Sequence, residues 1–373
     1  MKKIFAFMIL SLMLCGCSHE SKEDAIKKFV ENVNNSKSYK LTGTMEISND
    51  EETFTYSLES YYLKDNYYKV ILVNQTNNHE QIILKNNDDI YVITPALNKS
   101  FKFQSEWPGN SSQAYLLGSL VTDVKNDSSA EINENENGYV IKSLVNYPNN
   151  EELTYQKIYL NNDKIVEKVE VFNKNDIVKI KVIFNSVDLK AGLKDSNFKL
   201  DDYIKENSNQ ENGEKETQNT TCLDDNNEGM CKQEDNLDEK DEQNNAINDQ
   251  TNSKETTNIE NIIYPLYIPS NTYLTSSETI ETGVGNRVIL TFSGEKNFVL
   301  IEEVTIKNEE MAIVPVYGEP LMLSETIGAL SANSLSWDVN NISYYLASTE
   351  LTVNEMQTIA NSLGNTTLVN STK

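Results

Sequence analysis

From residue 23 the apolar positions fall at helical spacing. Ile26, Phe29, Val30 and Val33 share one face of a helix predicted over residues 23–34, which Ser21 is placed to cap. From Tyr39 the period drops to two. Leu41, Gly43, Met45 and Ile47 alternate with polar residues, and so do Phe54, Tyr56 and Leu58. Further strands are predicted at residues 67–73, 81–84, 90–94 and 100–103, separated by turns at Asn66, Asn77-Asn78 and Asn86-Asn87-Asp88-Asp89. Residues 113–124 read as a helix, with Leu116, Leu117, Leu120 and Val121 grouped. Strands resume at 139–145, 153–159, 165–172 and 178–184. A meander of this length curls to shelter its greasy face, as a barrel or an incomplete barrel. Whatever the two helices leave uncovered needs a ligand or a partner.

Near Lys205 the pattern disappears. Up to Asn258 the chain is acidic, rich in Asn, Gln, Thr and Ser, and free of aromatic residues. Such a tract cannot bury enough apolar surface to offset its chain entropy, so residues 204–258 are expected to be a disordered acidic linker. Patterning returns at Ile259. Tyr264-Pro265-Leu266-Tyr267-Ile268-Pro269 leads into strands predicted at 288–292 and 297–305, with Gly294 as a hairpin turn, and at 311–316 and 343–348. Thr352 and Glu355 have capping-box spacing before the apolar stripe of Met356, Ile359, Ala360 and Leu363, and Gly364 stops that helix. The expected architecture is α+β: a curled antiparallel sheet with helices over residues 22–203, the linker, and a small α+β domain over 259–365.

Charge removes whole classes of function. A formal net charge of −25 argues against nucleic acid and against adhesion to an anionic surface, both of which need clustered cations. Arg287 is the only arginine, so bidentate clamps on phosphate or carboxylate are scarcely available.

The start of the chain carries Lys2 and Lys3, an apolar run from Ile4 to Cys15, and then Gly16-Cys17-Ser18. This reads as an export signal too short to span a bilayer permanently. Leu14-Cys15-Gly16-Cys17 resembles the bacterial lipobox, which implies cleavage after residue 16 and a lipid anchor on Cys17. Two or three acyl chains hold stably where a single one is marginal. The expected location is the extracytoplasmic face of the cytoplasmic membrane. Cys222 and Cys231 flank an acidic stretch inside the linker, and export permits them a disulfide as readily as two free thiols. That stretch lacks the alternating ligand spacing of a calcium loop, and no metal or other cofactor is expected.

Catalytic signatures are missing from the pattern. His19 lies beside the anchor, and His79 falls in an Asn-rich turn where an exposed position is expected. No nucleophile elbow, paired zinc-binding histidines, phosphate loop or Cys-x-x-Cys is present. A binding protein is the expectation, with no catalytic residue assigned.

The run from Ile93 through Trp107-Pro108-Gly109 and Tyr115 to Leu120 is similar to a segment of the LolA-like lipoproteins of spore-forming Firmicutes, GerS among them. The first helix and the Tyr39-x-x-x-Gly43 pattern support the match, which covers roughly residues 22–203. Gly318-Glu319-Pro320, Trp337, Tyr344-Tyr345-Leu346 and the terminal helix look like the smaller domain of RseB-type proteins. The resemblance implies an incomplete β-barrel with an apolar concavity. Leu41, Met45, Phe54, Tyr56 and Leu58 are then the candidate cavity residues, with Trp107 and Tyr115 near the mouth. It further implies a tethered protein of sporulation or germination that docks a cell-wall-modifying partner such as an amidase. The alternatives it leaves open are an acyl-chain carrier or sensor, and a regulator that binds an anti-sigma factor.

Overall fold

The computed structural model describes residues 22–49, 52–87, 89–204 and 258–363. Cys17, Ser21, Cys222, Cys231, Gly364 and nearly all of the acidic tract lie outside the described residues.

Helix α1 (Lys22–Asn34) buries Ala25, Phe29 and Val33, and Ile26 and Val30 pack against the same core. The strands β1 (Ser38–Ser48), β2 (Thr53–Leu63), β3 (Tyr67–Asn74), β4 (Glu80–Asn86), β5 (Asp89–Thr94) and β6 (Lys99–Phe103) then form an antiparallel meander. Helix α2 (Leu117–Asn126) begins four residues later than its pattern suggested. Ala114, Tyr115, Leu116 and Leu117 are all buried, and no single helix face accommodates four consecutive buried residues. The strands β7 (Glu131–Asn135), β8 (Gly138–Leu144), β9 (Leu153–Leu160), β10 (Val166–Asn173) and β11 (Val178–Asp188) make a second meander, and β11 pairs back onto β1.

Gly43 shows why the Tyr39-x-x-x-Gly43 pattern is needed. The β1–β11 register shifts between Thr42 and Gly43, and a Cβ at Gly43 would lie 2.1 Å from the carbonyl oxygen of Ile183. Only glycine fits that close approach. The inner face collects both ends of the sheet into one apolar cluster, from Ile132 on β7 to Phe101 on β6, together with both helices. Eleven strands laid flat would separate those ends by roughly 50 Å. The sheet therefore curls around its helices without closing.

The apolar runs of β4 and β5 have a second explanation. Residues 193–203 fold back over the outer face, where Phe198 packs with Ile82, Leu84, Tyr91 and Ile93. Both faces of these strands are covered, which is why their sequence does not alternate.

The C-terminal segment supplies β12 (Thr272–Thr282), β13 (Gly285–Gly294), β14 (Phe298–Val304), β15 (Ala312–Val316), β16 (Gly318–Met322), β17 (Ile327–Ser331), β18 (Ser334–Val339), β19 (Ile342–Ala347) and helix α3 (Val353–Leu363). Seven of these strands form an antiparallel sheet in the order β12-β13-β14-β19-β18-β17-β16, and α3 packs on it through Met356, Ile359, Ala360 and Leu363. The capping box is present: Thr352 N–H donates to Glu355 Oε2 (2.8 Å) and Glu355 N–H to Thr352 Oγ1 (3.2 Å).

The strand predicted at 311–316 does not belong to this second sheet. As β15 it pairs in parallel with β6 and becomes the twelfth strand of the first sheet. Ala312 N–H donates to Asn98 O, so alternate amides face β6 and Pro315 points its donorless nitrogen outward at the sheet edge. The sequence pattern also misses β12 and β16–β18. Most of β12 is exposed and built from Thr, Ser and Glu, so its apolar alternation is weak.

Candidate functional site

Chain connectivity assembles the site. After β15 the chain turns at Tyr317 into Gly318, where a Cβ would stand 1.8 Å from Leu330 O. This close β16–β17 approach carries Glu319 to the first unit, where the side-chain amides of Asn110 and Asn149 each donate to one of its carboxylate oxygens. A part-buried carboxylate met by two amides is a strong, directional anchor.

Beyond Glu319 the hairpin enters the open mouth of the first sheet. Tyr56 Oη donates to Ser324 O. Gln81 Oε1 accepts from Ile327 N–H (2.5 Å) and Thr326 Oγ1 (3.1 Å), and Gln81 Nε2 donates to Ile327 O (3.4 Å). Ile327 and Ala329 belong to the core of the first unit. At the far end of the seam, Lys99 Nζ on β6 stands 2.9 Å from Asp338 Oδ2 on β18.

Between the hairpin, α3 and the curled sheet lies a cleft of about 480 Å³. Trp107, Tyr115, Tyr147 and Ile47 contribute from the first unit, and Leu321, Met322 and Gln357 from the second. Leu266 and Tyr267, from the extended segment that leads into β12, form part of the wall, and Leu266 is 67% exposed. An exposed leucine and tyrosine bordering a half-apolar cleft are the marks of a binding surface. The lead-in is held at its base, where Asn286 exchanges hydrogen bonds with Ile259 and Glu302 Oε2 accepts from Ile263 N–H (3.2 Å). Burial pushes the Glu302 carboxyl up to about 7.

Two of the candidate residues, Trp107 and Tyr115, line this cleft; burial holds the Tyr115 hydroxyl well above its ordinary range. Leu41, Met45, Tyr56 and Leu58 do not line it. They are core residues, because α1, α2 and the hairpin residues Ile327 and Ala329 already fill the concavity. Phe54 is half-buried against the same core. Tyr56 has a different part to play, since its hydroxyl holds the hairpin.

His79, expected on an exposed turn, is half-buried; burial pushes its imidazole down, and its Nε2 has no hydrogen-bond partner among the described residues. Asp123 on α2 is buried between Ser112 Oγ (2.8 Å) and Gln156 Nε2 (2.9 Å), and burial raises its carboxyl to about 6. Among the described residues no group of three or more His, Cys, Asp or Glu is arranged to hold a metal ion. Sequence reasoning missed Gln81, Asn110, Asn149 and Glu319, all polar residues whose partners lie more than a hundred positions away.

Three comparisons bear on identity. A family model described as "Sporulation protein YdcC-like" matches residues 1–198. The sporulation protein YdcC of Bacillus subtilis is 32% identical over 357 residues, covering 95% of this chain and 94% of its own. Among solved structures, the MucA/MucB complex of Pseudomonas aeruginosa contains a chain of 9% identity, with 91% of this chain and 97% of that chain covered and a TM-score of 0.30. The CwlD amidase of Clostridioides difficile in complex with the GerS lipoprotein contains one of 18% identity, with 44% and 94% covered and a TM-score of 0.28. The LolA superfamily protein NE2245 of Nitrosomonas europaea shows 10% identity, 48% and 98% coverage and a TM-score of 0.28. With the family model spanning more than half of the chain and a Bacillus relative aligned along nearly all of it, this chain belongs to the YdcC-like family of sporulation proteins.

Proposed function

We propose that this YdcC-like protein is a lipid-anchored docking protein of sporulation. In this reading it is held at the extracytoplasmic face of the membrane through Cys17. It performs no chemistry itself and seats a cell-wall-modifying protein in the cleft between its two units. One observation carries the reading: a cleft of about 480 Å³, built jointly by both units, is bordered by the exposed side chains of Leu266 and Tyr267. The amide clamp on Glu319 supports a preformed binding surface, because it ties the walls of the cleft together. Family membership supports the setting in sporulation.

The experiment is site-specific photocrosslinking in sporulating cells, with a benzophenone amino acid at position 267. The expected result is one discrete adduct, with a cell-wall-modifying protein identified by mass spectrometry, lost when Leu266→Glu is added. Crosslinks that are diffuse, or unaffected by Leu266→Glu, would remove the cleft as the docking site.

A further inference from the structure

The hairpin between β16 and β17 is held in the mouth of the curled sheet in an unusual way. Most of its polar contacts there run to its main chain; Thr326 Oγ1, which donates to Gln81 Oε1 (3.1 Å), is the side-chain exception. The Gln81 amide pairs with both the N–H and the C=O of Ile327, much as a neighbouring strand would, and Tyr56 takes the carbonyl of Ser324. Gln81 is itself 5% exposed and is steadied by Thr94 Oγ1 at 3.5 Å. Within residues 324–329 the apolar contribution is one β-branched side chain, Ile327, followed by the small residues Gly328 and Ala329; Met322 on β16 packs against the same core. Ile327 and Ala329 count in the core of the first unit, not the second. A wall that reads main-chain groups plus one apolar anchor is how proteins recognise extended peptides.

The seat is also imperfectly matched. Beside the hairpin, Asn110 Oδ1 and Gln357 Oε1 are buried acceptors with no donor among the described residues. Unpaired buried acceptors raise the free energy of the seated state and so favour any arrangement that supplies them with donors. The open cleft runs beside the seated segment, with Ile327, Ser324, Asn110 and Gln357 among its lining residues.

We propose that the Tyr56–Gln81 wall is a peptide-recognition site occupied in cis by residues 324–329. An extended segment of a protein partner, with a β-branched residue in place of Ile327, takes the same wall in trans and displaces the hairpin. The proposal deepens the docking reading by naming what the partner inserts. Main-chain recognition makes the site tolerant of sequence away from the anchor and the hydroxyl at the place of Thr326, so exchange requires no full copy of the hairpin's side chains.

The test uses the full chain and a fluorescein-labelled synthetic peptide, Leu-Ser-Glu-Thr-Ile-Gly-Ala, matching residues 323–329. In the Ile327→Asp chain the hairpin loses its anchor while Tyr56 and Gln81 are untouched. That chain should bind the probe at least tenfold more tightly than wild type. A probe with Asp in place of Ile should bind neither, and adding Gln81→Leu to the Ile327→Asp chain should abolish the gain. Equal binding by wild type and Ile327→Asp, or equal binding of the two probes, overturns the proposal. Should Ile327→Asp fail to fold by circular dichroism, wild type decides. Excess unlabelled peptide, but not its Asp control, should speed hydrogen exchange at the Ile327 amide at least tenfold, and an unchanged rate overturns the exchange. Because the probe is the chain's own sequence, failure here leaves partner docking at Leu266 and Tyr267 standing. Loss of the position-267 adduct alone would leave the exchange standing.

Discussion

Lys99 and Asp338 lie 239 positions apart in the chain and 2.9 Å apart in the fold, joining β6 of the first sheet to β18 of the second. The aspartate side chain is 4% exposed and also accepts a hydrogen bond from Ser343. Removing Lys99 strands the buried carboxylate away from water. Lys99→Met should therefore lower stability by about 2–4 kcal/mol in urea unfolding, while the double change Lys99→Met with Asp338→Leu should cost less than Lys99→Met alone.

Asp123 makes stability depend on pH. Its carboxyl is raised from the ordinary 3.8 to about 6, so the folded chain holds this proton more tightly than the unfolded chain does. The contribution is fully present at low pH and is lost as pH rises through the interval from about 4 to about 6. A rise of that size corresponds to roughly 3 kcal/mol, reduced by whatever solvent reaches the site. Asp123→Asn, with the Gln156 amide turned over to accept, should flatten the urea midpoint across that interval and raise it above pH 6.

Trp107 is both cleft wall and core. Its ring meets Tyr68 edge-on at 6.0 Å between centroids, and its carbonyl accepts from the buried ammonium of Lys85. Trp107→Ala should cost about 3–5 kcal/mol and depress thermal stability before binding is ever probed. Trp107→Phe keeps most of the apolar volume, and its melting temperature should stay much nearer to wild type.

Gly43 permits no side chain. With a Cβ 2.1 Å from the Ile183 oxygen, Gly43→Ala must break the β1–β11 register or part the strands. Little soluble protein should accumulate, whereas Gly118→Ala, where nothing lies within 4 Å of the added carbon, should behave as wild type.

The anchor is tested by labelled palmitate. Incorporation into wild type and its loss in Cys17→Ala are the expected outcomes; label that persists in Cys17→Ala would remove the tether.

Much of the fold was legible because its strands alternate. Residues 39–45 of β1, 56–60 of β2 and 70–74 of β3 bury every second residue, and period two in the sequence reads directly as one greasy face. The site was not legible for the opposite reason. Gln81 and Asn110 acquire their roles only when residues more than two hundred positions away arrive. Leu41, Met45 and Leu58 face inward and pack in the core of the first unit, away from the lining of the cleft. Alternation reveals which way a side chain faces, and the hairpin that covers them comes from elsewhere in the chain.

The parallel seat of β15 beside β6 has a consequence for how the molecule is made. Until residue 316 has been synthesised, β6 is a raw border whose neighbouring amides and carbonyls have nothing to pair with. A product truncated before Ala312 would carry that border permanently and should aggregate. The first sheet is thus finished by the chain's last third, and Pro315 marks the place where its growth stops.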